Sequence, residues 1–391
     1  MPKIYMDYGA GKPVDPRVLE AMNPYFLEIY GNASSGHSYG NAAKEALTSS
    51  REKIAQLIGA EKVQEIIFTS GGTESNNLAI KGAAFRNKSK GNHIITTAIE
   101  HMSVINICKY LQKEGFEVTF VPVDDKGTVD LEKLEAAITD QTIMMSVMYA
   151  NGEIGTIQPI KQIGKLAQEK NIMLHVDAVA AVGQVPINVV DENIDLLTLS
   201  SNDLYGPKGV GALYIKKGTR IVPIDQGGGQ ENGLRSGTEN ISGIVGMAKA
   251  AELAQTEMET ESKRLIALRD KLIDGVLDSI PYSFLNGHRT QRLPNNANLR
   301  FSYIEGESLI LSLDMHGIQA SSGSACSSKT LEPSHVLRAI GLSHELAHGS
   351  LAFTLGKQNT QESMDYVLEV IPEVVKRLRA LSPLTPKEIL R

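Results

Sequence analysis

The chain has 391 residues, a formal net charge of -6, 42% hydrophobic and 21% charged residues, and two cysteines. That length supports two or three domains around sizeable cores. An acidic balance without a basic run argues against nucleic acid as a partner, and two cysteines exclude a disulfide framework. No apolar stretch reaches the roughly 18 residues needed to span a bilayer. The opening segment MPKIYMDYGAGKP lacks the basic and apolar parts of a signal peptide, so no membrane and a cytoplasmic location are expected.

In chain order, short apolar runs predict strands at 65–70, 93–97, 117–121, 143–147, 173–177 and 196–200. Their near-continuous apolar character suits strands covered on both faces. Helical patterns fall at 73–85, 101–113, 131–138 and 160–170. The alternation predicts an α/β domain with a mostly parallel sheet, whose ligands bind beyond the carboxyl ends of the strands. A long charged helix is expected from Ile241 to about Asp278, followed by a strand at 296–301, a helix at 306–315, a Ser/Gly-rich loop, and helices after Pro333 and Thr360. The expected division is a large domain over 15–255 and a small α+β domain made of 1–14 and 256–391.

Four segments carry candidate chemistry. Ser70-Gly71-Gly72-Thr73-Glu74 follows a strand and opens a helix, so it is either a capped turn or a phosphate cradle. Asp177 closes an apolar strand and either caps a helix or pairs with a ring nitrogen. His101, in Glu100-His101, is either a capping histidine or one that stacks on a flat ligand or moves a proton. Cys326 sits in Ser321-Ser322-Gly323-Ser324-Ala325-Cys326-Ser327-Ser328-Lys329, a setting of turn residues that suits a reactive thiol, with Lys329 near in sequence to favour the thiolate. Cys108 recurs at helical spacing with Val104, Ile107 and Leu111 and reads as a buried small hydrophobe.

These segments, in this order, resemble the cysteine desulfurases of the NifS/IscS type, members of the fold-type I enzymes that use pyridoxal phosphate (PLP). The likeness runs through Ile4-Tyr5-Met6-Asp7-Tyr8, Ser34-Ser35-Gly36-His37-Ser38-Tyr39-Gly40, Phe68 to Asn77, Ala150-Asn151-Gly152-Glu153-Ile154-Gly155-Thr156, His175-Val176-Asp177-Ala178, Gly227-Gly228-Gly229-Gln230-Glu231, Leu234 to Asn240 and the Cys326 loop. It implies a fold-type I transferase with a small α+β domain, acting as a homodimer. Gly72, Thr73 and Ser200 are then expected at the PLP phosphate, with Thr238 reaching it from a second subunit. His101 is expected to stack on the ring, Asp177 to pair with its nitrogen, and Asn151 to lie near the ring oxygen or substrate. Cys326 is implied as the thiol that takes up sulfur as a persulfide.

The pattern breaks where it matters most. After the strand at 196–200 the family reads Ser-x-His-Lys-x-Tyr-Gly-Pro-Lys-Gly, whereas this chain reads Ser200-Ser201-Asn202-Asp203-Leu204-Tyr205-Gly206-Pro207-Lys208-Gly209. Asp203 stands in place of the lysine that holds PLP covalently, and Asn202 in place of a phosphate-contacting histidine. Ala352 replaces the arginine that binds the substrate carboxylate, and Ala180 replaces a glutamine near the ring oxygen. Lys208 is no substitute, because the family already has a lysine there. Lys12 replaces a threonine and is expected either to pair with Asp203 or to be a solvated surface lysine.

Three functions are consistent with this pattern. The first is a desulfurase-like partner in iron–sulfur assembly that binds a scaffold protein. Cys326 there carries persulfide or ligates a shared iron–sulfur cluster, and turnover of L-cysteine is impaired. The second is an active desulfurase, converting L-cysteine to L-alanine on non-covalently held PLP. The third is another PLP enzyme or a regulatory binding protein. The sulfur donor is L-cysteine or another source.

Overall fold

The computed structural model describes residues 3–322 and 333–388. The strands among them are β1 Ile4–Tyr5, β2 Ile66–Thr69, β3 His93–Thr97, β4 Glu117–Val121, β5 Thr142–Met148, β6 Met173–Asp177, β7 Leu196–Ser200, β8 Gly211–Ile215, β9 Ser283–Leu285, β10 Asn296–Phe301, β11 Ile318–Gln319 and β12 Ser350–Thr354. Seven of them form one sheet in the order β2-β8-β7-β6-β5-β3-β4. All its neighbours run parallel except β8, which is antiparallel to both β2 and β7. Every residue of β7 and β8 is buried, which accounts for their continuous apolar sequence. The expected α/β architecture with a mostly parallel sheet is therefore present.

This sheet has a core on each face. One is built from Ile66, Val147, Leu174, Val176 and Leu197 against the helices Ser38–Ile58 and Ile160–Glu169. The other gathers Ile67, Ile94 and Leu213 under the helices Gly72–Asn87 and Met102–Lys113. In the second of these helices Cys108 is buried, and burial pushes its thiol up to about 12, as a packing cysteine requires.

A separate core lies around the sheet β12-β10-β9 and the parallel pair β1-β11, covered by the helices Gly306–Asp314 and Gln361–Leu381. The 39-residue helix Ile241–Ser279 joins the two regions and is about 60 Å long at 1.5 Å per residue. Its first half buries Ile244, Met247 and Ala251 in the large core, and its second half buries Leu265, Leu272 and Val276 in the small one. The N-terminal segment also crosses between them. Tyr8 N–H donates to Thr354 O (3.2 Å) in the small region, and Asp15 then caps the helix Pro16–Met22 beside the large one.

Because β2, β3, β5, β6 and β7 point the same way, the segments that follow them emerge at one edge of the sheet. There, Gly72, His101, Asn151, Asp177 and Asp203 meet the strand β12.

Candidate active site

A cavity of about 420 Å³ opens at this edge, a size typical of cofactor sites. A larger cleft of about 800 Å³ lies at the amino ends of β5 and β6, between Thr142, Met173, Asp195 and Lys216. It holds none of the candidate residues, which gather instead around the smaller cavity.

Each wall follows from local structure. At the end of β2, Gly71 adopts φ +152° and ψ -178°, a conformation that only glycine takes readily. A side chain at Gly72 would come within 2.7 Å of Val179 Cγ2. The turn delivers the first N–H groups of the 16-residue helix Gly72–Asn87 to the cavity. Thr73 is exposed beside them, and Ser200 lines the same wall from the end of β7.

Asp177 is buried at the end of β6. Its Oδ2 accepts from Asn76 Nδ2 (2.7 Å) and its Oδ1 from Val179 N–H (3.0 Å). Asn76 is itself buried, and its Oδ1 has no partner among the described residues. His101 is exposed at the mouth and caps the helix Met102–Lys113, its Nδ1 accepting from Ser103 N–H (3.2 Å). An accepting Nδ1 places the ring proton on Nε2. His101 therefore caps the helix and lines the cavity at once.

Asn151 lines the cavity, but its amide is already engaged. Nδ2 donates to Ile99 O (2.9 Å), and Oδ1 accepts from the N–H groups of Glu153 and Ile154 (both 2.9 Å). It stitches the loop after β5 to the loop after β3. Thr238 is exposed and does not line the cavity in this chain. Cys326 lies outside the described residues, while Ser321 and His335, on either side of it in sequence, both line the cavity.

The altered positions come together as well. Asp203, in the short turn Asn202–Leu204, reaches the cavity beside Ser200. Burial raises its proton affinity; the charge of Lys12 and hydrogen bonds from Ser200 and Asn202 oppose this. Ala352 is buried in the middle of β12, where its N–H donates to Ser321 O (2.7 Å). Ala180 lines the cavity next to Gly152, whose Cβ position would lie 3.5 Å from the Ala180 Cβ. Lys208 is exposed, donates to Lys12 O (3.3 Å) and is not among the lining residues of the cavity.

The surface-lysine alternative for Lys12 is wrong. Lys12 is only 4% exposed, and its Nζ donates to the main-chain carbonyl of Asp203 at 2.6 Å. Because the segment 9–12 crosses between the two cores, it carries this side chain inward.

Sequence reasoning passed over three lining residues. Glu100 is fully buried; its Oε1 accepts from Thr97 Oγ1 (2.7 Å) and Met148 N–H (3.0 Å), and its Oε2 has no partner among the described residues. Glu153 accepts from Ser334 Oγ (2.7 Å), and burial pushes its carboxyl up to about 7. His335 Nε2 donates to Glu100 O (2.9 Å), and burial lowers its pKa. Glu100 and Glu153 stand inside the motifs that carry the resemblance, but only packing reveals their burial. The buried His175, by contrast, is structural: Ser146 and Thr198 engage both its ring nitrogens, and burial holds it neutral.

Among the described lining residues there are five carboxyl groups, Asp7, Glu100, Glu153, Asp177 and Asp203, and no lysine or arginine. Burial pushes Glu100 up to about 8, with Asp177 adding repulsion. A folded-state pKa above the ordinary value means that protonation stabilises the fold. That contribution is complete below about pH 4.5 and is lost as the pH rises through about 8. Glu100→Gln mimics the protonated acid, so it is expected to match the wild type in melting temperature at pH 5 and to exceed it at pH 9. The difference expected corresponds to a few kcal/mol. A gap between the two proteins that stays constant across this range would refute the assignment.

The fold and the cavity define the class. Residues 4–367 match the family model described as Aminotransferase class-V. The chain is 59% identical over 380 residues to "Cysteine desulfurase IscS 1" of Archaeoglobus fulgidus, covering 97% of this chain and 99% of that protein. It is 56% identical over 385 residues to "Cysteine desulfurase IscS" of Methanosarcina thermophila, covering 98% and 95%. A solved NifS-like protein superposes with a TM-score of 0.90 at 39% identity, covering 96% of this chain and all of that one. The chain belongs to the class-V aminotransferase family, among the cysteine desulfurases of the NifS/IscS type.

Pyridoxal phosphate is the cofactor this family implies. The cavity fits its ring and phosphate, with a carboxylate at a strand end, an orphaned buried amide oxygen on Asn76, and a glycine turn that a side chain would fill. The cavity does not offer a lysine amine among its described lining residues. No helix of the described residues is long and apolar enough to cross a membrane. Nor do those residues contain a group of three or more His, Cys, Asp or Glu placed to hold a metal ion.

Proposed function

We propose that this chain is a desulfurase-like protein of iron–sulfur cluster assembly whose own turnover of L-cysteine is impaired, with Cys326 as persulfide carrier or cluster-ligating thiol. One observation carries the reading: Asp203 and Ala352 occupy the cavity where a cofactor anchor and a carboxylate clamp are expected, and no described lining residue is a lysine or arginine. A carboxylate cannot condense with an aldehyde, and alanine offers no donor to a carboxylate.

Asp177 would pair with the ring nitrogen of PLP, His101 would stack on the ring, and Gly72, Thr73 and Ser200 would hold the phosphate, with Thr238 supplied by a second copy. Bound there, PLP supplies an electron sink. Asn76 fixes the orientation of the Asp177 carboxylate, and His101 presents a ring N–H at Nε2. We assign the large domain to 15–255 and the small one to 1–14 and 256–391. The partners proposed are a second copy of the chain and an iron–sulfur scaffold protein.

The retained Asp177–Asn76 pair and glycine turn favour a second reading, an active desulfurase on non-covalently held PLP. Sulfide release from L-cysteine with added PLP and a reductant separates the two. The first reading expects wild-type turnover to stay low and close to that of Cys326→Ala. Turnover by the wild type at least tenfold above Cys326→Ala would reject it in favour of the second.

A further inference from the structure

Asp203 is shared by two cavities. One wall of it faces the main cavity, and its other side lines a small void of about 30 Å³ with Lys12, Tyr205 and Lys357, room for about one water molecule. A buried lysine is unusual unless something compensates its charge. Lys12 is held from several sides. Its Nζ donates to Asp203 O (2.6 Å) and lies 5.0 Å from the centre of the Tyr205 ring, within cation–π range. Its own N–H donates to Asn202 Oδ1 (3.4 Å). The second nearby cation, Lys357, sits over the same ring at 5.0 Å but is already paired with Asp15 (3.1 Å) and Glu257 (2.8 Å). Among the described residues lining its main cavity, the other acidic and basic side chains near Asp203 are carboxyls and two histidines, with no lysine or arginine.

We propose that Lys12 is the resident counter-charge of Asp203, so that positions 12 and 203 form a transposed pair in which the cation of the site is delivered from outside the cavity wall. Each residue is then better tolerated in the presence of the other. A lysine placed at 203 would meet the Lys12 ammonium in a poorly solvated space, where like charges are strongly disfavoured. Lys12 in this role is a positioning residue: it sets the charge of the cavity floor without lining the cavity.

The test uses full-length wild type, Lys12→Met, Asp203→Lys and the double variant. Lys12→Met keeps the apolar stem and removes the charge. It is expected to lower the melting temperature of the wild type and to raise that of Asp203→Lys, a reversal of sign that a packing role does not produce. Lys12→Arg, which keeps the charge, is expected to melt closer to the wild type than Lys12→Met does. As a second readout, each protein is incubated with PLP, reduced with borohydride and mapped by mass spectrometry. The double variant is expected to carry the adduct at position 203 in at least tenfold higher yield than Asp203→Lys alone. An effect of Lys12→Met with the same sign in both backgrounds would overturn the pairing. So would a wild-type adduct on Lys12, which would make this amine the anchor rather than the counter-charge. Neither readout depends on turnover of L-cysteine, so the result stands apart from the proposed function.

Discussion

Asp203→Lys combined with Ala352→Arg is expected to raise L-cysteine desulfuration by about a hundredfold or more over the wild type. The guanidinium at 352 restores a charge-assisted contact worth roughly 1.5–3 kcal/mol, or about ten- to hundredfold in affinity, and the amine at 203 adds a covalent anchor for the cofactor to that gain. Both sites sit where such groups can act. Asp203 reaches the cavity beside Ser200, and Ala352 lies at the centre of β12 next to Ser321 and across from Asn298. The amine at 203 supplies a covalent hold on the cofactor, detectable as a borohydride-reducible adduct. The guanidinium at 352 supplies a forked contact to the substrate carboxylate. Asp203→Lys alone should therefore gain the adduct with little gain in cysteine affinity, and Ala352→Arg alone the reverse. Adding Lys12→Met is expected to raise adduct yield again. A double variant that carries the adduct yet releases no more sulfide than the wild type would show that impairment lies elsewhere than at these two positions.

How much of this site was legible in the sequence depends on what each residue had to reveal. The buried strands were, because an apolar run such as 173–177 or 196–200 has few other uses, and both runs match their strands to the residue. Asp177 and His101 were legible as polar residues at or beyond strand ends: His101 caps a helix and lines the cavity, whereas Asp177 lines it without capping a helix, because the segment after β6 is a turn in which it accepts from Val179 N–H. The break at Asp203 was visible because the following Tyr205-Gly206-Pro207 pins the register. By contrast, the helix Ser38–Ile58 escaped notice, since its buried face is largely alanine, serine and glycine spread among polar residues. Strands β8 and β12 escaped too, because their apolar runs follow glycine-rich or helical segments. The burial of Lys12, Glu100 and Glu153 was beyond local reading. Lysine and glutamate are exposed by default, and only the crossing of the N-terminal segment and the stacking of loops at the sheet edge enclose them.

Arg292→Ala is expected to cost about 3–5 kcal/mol of stability, the range seen when a buried charged network is broken. Arg292 is 3% exposed. Its Nε donates to His288 O (2.9 Å), its Nη1 to Ile154 O (2.9 Å) and Asn296 Oδ1 (3.1 Å), and its Nη2 to Asn286 O. Asn296 in turn donates to Gly152 O (2.9 Å) and Glu153 O (3.0 Å). This clamp ties the loop after β5, which forms a wall of the cavity, to the start of β10 in the small core. Removing the guanidinium strands at least two buried carbonyls, each worth about 1–3 kcal/mol when left unpaired. Burial already lowers the pKa of Arg292 to about 9, so this cation is held by its carbonyl acceptors rather than by a carboxylate. Arg292→Lys keeps the charge but not the fork, and should recover only part of the loss. Thermal unfolding followed by circular dichroism should therefore rank wild type above Arg292→Lys above Arg292→Ala, with the last several degrees below the first. Because Glu153 rides on the same loop, the variant should also loosen PLP. A variant that melts lower but binds PLP unchanged would show that the clamp serves the fold without shaping the cavity wall.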